Sequence, residues 1–238
     1  MSAIDSTMPT LFGVSPSSSP SPPEHPSQIG DGRRLVVNGL TWEDYRRISD
    51  AFRGIQVRIT YDRGKLEIMG TSLVLEVWNE LLAMFVRVLA EEAQMTIRSA
   101  GHTTLERQDL DRSIEPDHGF YLENEHLVRA NSNLDLSKDP PPDLAIETEV
   151  SRRAVKQLPI YEALRVPEVW RSDGKKVTFY VLQPDGKYVV AERSRNFPFL
   201  RADDLLPFLL KWGQTDETTL LREFRTWVRQ QLYQQKPS

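Results

Sequence analysis

A mixed α/β or α+β fold around a central sheet is the prediction for this chain, and three observations carry it. Segments with apolar residues three and four apart alternate with segments that repeat every second residue. The run Leu144-Ala145-Ile146 is apolar throughout, as a strand buried on both faces requires. Two turn sequences, Asp62-Arg63-Gly64-Lys65 and Pro184-Asp185-Gly186-Lys187, each separate two apolar runs, the mark of hairpins.

Taken in order, Met1 to about Gly30 holds six of the sixteen prolines and eight serines, with Asp5 and Glu24 as its only charges, so it reads as a disordered tail. It has neither the basic and apolar regions of a secretory signal nor the arginines of a transit peptide. Residues 31–238 read as one domain with C-terminal helices. Thr41 and Asp44 form a close variant of the capping box, which starts a helix that ends before Gly54. Val57, Ile59 and Tyr61 pair across the first turn with Leu66 to Met69. Leu75, Trp78, Leu82, Phe85 and Leu89 mark a long amphipathic helix from about Ser72, the expected N-cap, to Glu92. Short strands follow near Thr96–Arg98, His102–Glu106 and Gly119–Leu122, then the Leu144–Ile146 strand. Arg152 to Leu164 reads as helical despite Pro159, and Val169 to Arg171 as a strand. Val177–Leu182 pairs with Tyr188–Ala191, and helices near Ala202–Leu210 and Thr215–Leu232 close the chain. Trp170, Tyr161 and Tyr180 read as core.

Composition then narrows the chemistry. No cysteine is present, which removes disulfides, thiol nucleophiles, iron–sulfur clusters and cysteine-held zinc. His25, His102, His118 and His126 show no paired zinc spacing, so a metal would sit on carboxylate oxygen. The formal net charge is −4. The tail accounts for two of those charges, which leaves the remainder close to neutral, without the basic excess of a nucleic-acid coat protein. No run approaches the roughly 20 apolar residues that cross a bilayer, so a soluble, cytoplasmic protein is expected.

The acids fall at strand ends. Glu115-Pro116-Asp117 precedes Phe120-Tyr121-Leu122, and Glu147 and Glu149 follow the buried strand on alternate positions, which places both on one side if the strand continues. A carboxylate inside a sheet covered on both faces costs several kcal/mol unless it is paired or bound to a metal. Glu147 therefore needs a partner. Asp117 beside it would repel it, and a divalent cation between them would turn repulsion into ligation. Solvated strand ends or structural ion pairs account for the same pattern, and the spacing alone does not choose between these.

Gly39-Leu-Thr-Trp42, Val57-Arg-Ile-Thr-Tyr-Asp-Arg-Gly-Lys-Leu-Glu-Ile-Met69, a long helix carrying Asn79, Glu115-Pro-Asp117, Pro141-Pro-Asp-Leu-Ala-Ile-Glu147 and Leu158-Pro-Ile-Tyr161 through Val166-Pro-Glu-Val-Trp-Arg171 occur in that order. This arrangement, from about Leu35 to Leu210, closely resembles the Uma-two family of bacterial putative restriction endonucleases, of the PD-(D/E)XK nuclease superfamily. The resemblance implies a restriction-endonuclease-like core, a central mixed sheet flanked by helices, and Mg²⁺- or Mn²⁺-dependent cleavage of a nucleic-acid phosphodiester. Asp117 matches the first acid and Glu147 the second, both expected to be catalytic and to hold the metal. Glu76, on the long helix, matches a further acid that the family brings to the metal, while Leu75 stands where a histidine is often found. The superfamily's simplest lysine position holds Glu149. The basic residue often found before the Leu-Pro-Ile-Tyr segment falls at Gln157, with Lys156 one residue earlier.

The resemblance thus implies an endodeoxyribonuclease in which Asp117 and Glu147 hold Mg²⁺, Glu149 assists or binds a second ion, and Lys156 orients water or stabilises the transition state. The expected partner is DNA, with RNA also open, and the superfamily's habit implies a homodimer. The substitutions at Glu149, Gln157 and Leu75 sustain an alternative: a catalytically degraded nuclease fold that binds nucleic acid or protein.

Overall fold

The computed structural model describes residues 34–55, 57–70, 73–148 and 156–234. In chain order these form β1 (Arg34–Asn38), α1 (Trp42–Ala51), β2 (Val57–Asp62), β3 (Lys65–Gly70), α2 (Leu73–Glu92), β4 (Arg98–Gly101), β5 (Leu105–Arg107), β6 (Arg112–Ile114) and β7 (His118–Tyr121). There follow α3 (Glu125–Val128), β8 (Leu144–Thr148), α4 (Leu158–Leu164), β9 (Glu168–Ser172), β10 (Val177–Leu182), β11 (Tyr188–Ala191), α5 (Ala202–Leu209) and α6 (Glu217–Gln234).

The class is mixed α/β, but the expected central sheet is accompanied by a second. A five-stranded antiparallel sheet runs β1-β3-β2-β6-β5, and a six-stranded mixed sheet runs β11-β10-β9-β8-β7-β4, with β8 and β9 the parallel pair. Both hairpins form as the turn residues require, Asp62 opposite Lys65 and Leu182 opposite Tyr188. Gly64 adopts φ +86° at the first turn, a conformation that disfavours a side chain.

β8 is buried at every position, as its apolar run predicts, and its two faces pack differently. Leu144 and Ile146 join α2, α5 and α6 in the largest core cluster, where the rings of Phe85 and Phe224 stack 4.2 Å apart. Ala145 faces the other way, onto Ile160, Tyr161 and Leu164 of α4. This alternation decides which side of the sheet each acid takes.

Helix α1 starts where its capping box says: Thr41 Oγ1 accepts from the Asp44 amide at 3.2 Å and the Asp44 carboxylate accepts from the Thr41 amide at 3.1 Å. Thr41→Ala should therefore lower stability by about 1 kcal/mol. A urea melt reads this directly, and an unchanged midpoint would count against the cap.

Two expectations are corrected, the first being the strands near Thr96–Arg98 and His102–Glu106, which instead span Arg98–Gly101 and Leu105–Arg107. Among the described residues α4 begins only at Leu158, so Lys156 and Gln157 precede the helix and Pro159 sits in its first turn, where its missing amide donor costs nothing. β1, β6 and the one-turn α3 are additions; β6 and α3, at three and four residues, are too short to show a period. The Ser/Pro-rich segment and the Ser72 cap lie outside the described residues.

Candidate active site

β7 and β8 are antiparallel, with His118 opposite Ile146 and Gly119 opposite Ala145. One step further along that register places Asp117 opposite Glu147, and strand alternation turns both toward the α4 side, with Ala145. Glu147 is 1% exposed and Asp117 5% exposed, so both must be satisfied internally.

The contacts do this differently. Glu147 Oε2 accepts from Gln157 Nε2 at 2.8 Å and Oε1 from the Tyr161 hydroxyl. Asp117 Oδ2 accepts twice from Thr148, from its amide and its hydroxyl, each at 2.6 Å. Asp117 Oδ1 accepts from Arg58 Nε at 3.1 Å.

Arg58 comes from β2, in the other sheet, and its guanidinium is shared among three acids. Besides the Asp117 contact, Nη1 lies 3.4 Å from Glu115 Oε1 and Nη2 3.5 Å from Glu76 Oε1. Burial opposes the charge of Arg58, but Asp117, Glu76, Glu115 and Glu147 outweigh it and hold its pKa above the ordinary value. Glu115 moves the other way: burial raises its pKa, and Arg58 only partly offsets this.

Of the residues expected at the site, Asp117 and Glu147 are brought together on adjacent strands, and Glu76 joins them through Arg58. Lys156 is exposed, and its neighbour Gln157 is the residue that turns inward onto Glu147. Glu149 lies outside the described residues. His118 belongs to the opposite face: its Nε2 is 3.5 Å from Glu80 Oε2 and its ring 4.7 Å from that of His102. Burial, then His102, lowers its pKa.

Arg58, Thr148 and the Tyr161 hydroxyl escaped the sequence reading. The alternation of Val57, Ile59 and Tyr61 assigns Arg58 to solvent, but β2 lies inside its sheet and Arg58 is 9% exposed. Tyr161 is core in its ring and polar at its tip. Trp170 is core, stacked 4.7 Å from Phe179.

Two facing carboxylates are the donors a hard cation takes. Mg²⁺ commonly uses one or two of them and completes its shell with water and phosphate. Among the described residues no group of three or more acids or histidines could hold an ion, so the fit is to this open, two-carboxylate kind. A cleft of about 300 Å³ meets the cluster at Glu115, beside Ile59, Thr104 and Glu106. No helix among the described residues is long and apolar enough to cross a membrane.

The family model Uma2, described as putative restriction endonuclease, matches residues 42–214, from the start of α1 to beyond α5. No curated protein matches the chain.

Proposed function

From membership of the Uma2 family of putative restriction endonucleases, to which this chain belongs and which supports a nuclease-type function on nucleic acid, we propose that the protein is a Mg²⁺-dependent endonuclease hydrolysing DNA phosphodiester bonds. The single observation that carries the reading is the facing pair Asp117 and Glu147, both buried, on adjacent strands of a mixed sheet.

Asp117 and Glu147 would hold Mg²⁺ (Mn²⁺ being the natural substitute), with Glu76 as a further acid beside Arg58 and Glu149 assisting or binding a second ion. The chemistry an ion supplies there is a more acidic water and positive charge at the phosphoryl group. Thr148 fixes the Asp117 carboxylate through two donors, and Gln157 and Tyr161 fix that of Glu147, so both acids are oriented before substrate arrives. Lys156, at the protein surface ahead of α4, would take a phosphate oxygen of the substrate.

The second reading is a nuclease fold that binds without cutting. Gln157 favours it, because a neutral amide occupies the place on Glu147 nearest to where the family often has a basic residue.

The test is incubation of the purified protein with supercoiled plasmid, single-stranded DNA and RNA in Mg²⁺, Mn²⁺ or EDTA. Nicking or linearisation of DNA that requires an ion is expected. No cleavage of any polymer with either ion, together with retained binding in a gel-shift experiment, would replace the endonuclease by the binding module.

A further inference from the structure

Asp117 has four carboxylate lone pairs to offer, and the structure shows where they go. Oδ2 uses both of its own on Thr148, at 2.6 Å each. Oδ1 is therefore the oxygen left for an ion, and it is the one that Arg58 Nε holds at 3.1 Å. An ion sharing that oxygen with a guanidinium would place two cations side by side in a buried setting, where repulsion is weakly screened.

Arg58 also has somewhere to go. Its other contacts, to Glu115 and Glu76, are longer at 3.4 and 3.5 Å, and those side chains are 24% and 41% exposed. The guanidinium can pivot toward them and remain paired. The two Nη groups now near Glu115 and Glu76 are the paired donors that match a phosphodiester's oxygens.

We propose that Arg58 is the resident counter-cation of this centre, that a divalent ion must displace it from Asp117 to bind, and that a nucleic-acid phosphate promotes the displacement by taking over the guanidinium. The first half rests on the placement of the ion at Asp117 and Glu147 in the endonuclease reading, and the second on its nucleic-acid substrate as well. Ion and nucleic acid then bind with positive coupling, each raising the affinity of the other by the same factor.

Calorimetric titration with Mn²⁺, alone and with a phosphorothioate-linked oligonucleotide that resists cleavage, tests this. The wild type should bind Mn²⁺ weakly alone and at least about tenfold more tightly with the oligonucleotide. Arg58→Gln should bind Mn²⁺ at least about tenfold more tightly than the wild type without oligonucleotide, and gain little from it. Structural damage at the site would weaken Mn²⁺ binding, whereas loss of a competing cation strengthens it, so the sign of the change separates the two.

Unchanged, weaker or absent Mn²⁺ binding by folded Arg58→Gln overturns the proposal. Should that variant fail to fold, Arg58→Lys keeps the charge but cannot span three acids; it should gain about threefold, and no gain overturns the proposal equally. Asp117→Asn separates the two readings. If it leaves Mn²⁺ binding intact, the placement of the ion in the endonuclease reading fails. If it removes binding while neither Arg58 variant gains, only the role of Arg58 fails.

Discussion

Replacing Asp117 by asparagine or Glu147 by glutamine should lower ion-dependent cleavage by about three orders of magnitude or more, with the fold retained. Both changes preserve shape. In Asp117→Asn the side-chain oxygen that remains can still accept from Thr148, and in Glu147→Gln it can still accept from Tyr161, so the packing around them survives. What is lost is negative charge, and with it the only strong ligand type that two facing residues can offer a hard cation. Stability should fall by no more than about 1–3 kcal/mol, mostly where Arg58 loses its nearest partner in Asp117→Asn. The check is initial cleavage rate beside circular dichroism and a urea melt on the same preparations. Cleavage within about tenfold of the wild type by both folded variants would remove these acids from the chemistry.

Glu168→Ala should be the most damaging change to stability, at least about 4 kcal/mol, without touching the candidate centre. Glu168 opens β9, is fully buried, and collects five donors. Oε1 accepts from Trp170 Nε1 at 2.8 Å and the Arg195 amide at 3.1 Å. Oε2 accepts from Asn196 Nδ2 at 2.7 Å, the Asn196 amide at 3.0 Å and Ser194 Oγ at 3.2 Å. Truncation leaves these donors, most of them buried, without their acceptor and frees the 194–197 segment, whose Phe197 is part of the largest core cluster. Since a domain's whole stability is about 5–15 kcal/mol, most of the reserve would go. Glu168→Gln keeps one acceptor oxygen and should cost roughly half as much. A urea midpoint within error of the wild type for Glu168→Ala would show that the network is worth far less than its geometry suggests.

Glu168 and Asp143 also explain why counting acids in the motifs is a poor guide to the site. Asp143 is fully buried as well, yet its oxygens are taken by the Leu122 amide at 2.7 Å, the Asn124 amide at 3.0 Å and Asn124 Nδ2 at 2.6 Å, tying the turn after β7 to the start of β8. Neighbouring strands thus carry structural carboxylates at one end and the facing pair Asp117 and Glu147 at the other. The second pair meets, through Asp117, the guanidinium that Glu115 and Glu76 share.

The mixed class, both hairpins, the long α2 and the buried character of β8 were legible in the sequence, because each depends on periodicity or turn chemistry within a few residues. The pairing of Asp117 with Glu147 was implied by the family resemblance, while strand alternation by itself grouped Glu147 with Glu149. The division into two sheets was not legible, since β1 and β6 gain their order from neighbours far along the chain. Nor was Arg58 among the acids: its contact with Asp117 spans 59 residues, and only the approach of the five-stranded sheet to the six-stranded one creates it. Local hydrogen bonding and hydrophobic period are short-range and can be read from a string. The charge that balances a buried carboxylate is supplied through space, and only the tertiary structure decides which residue supplies it.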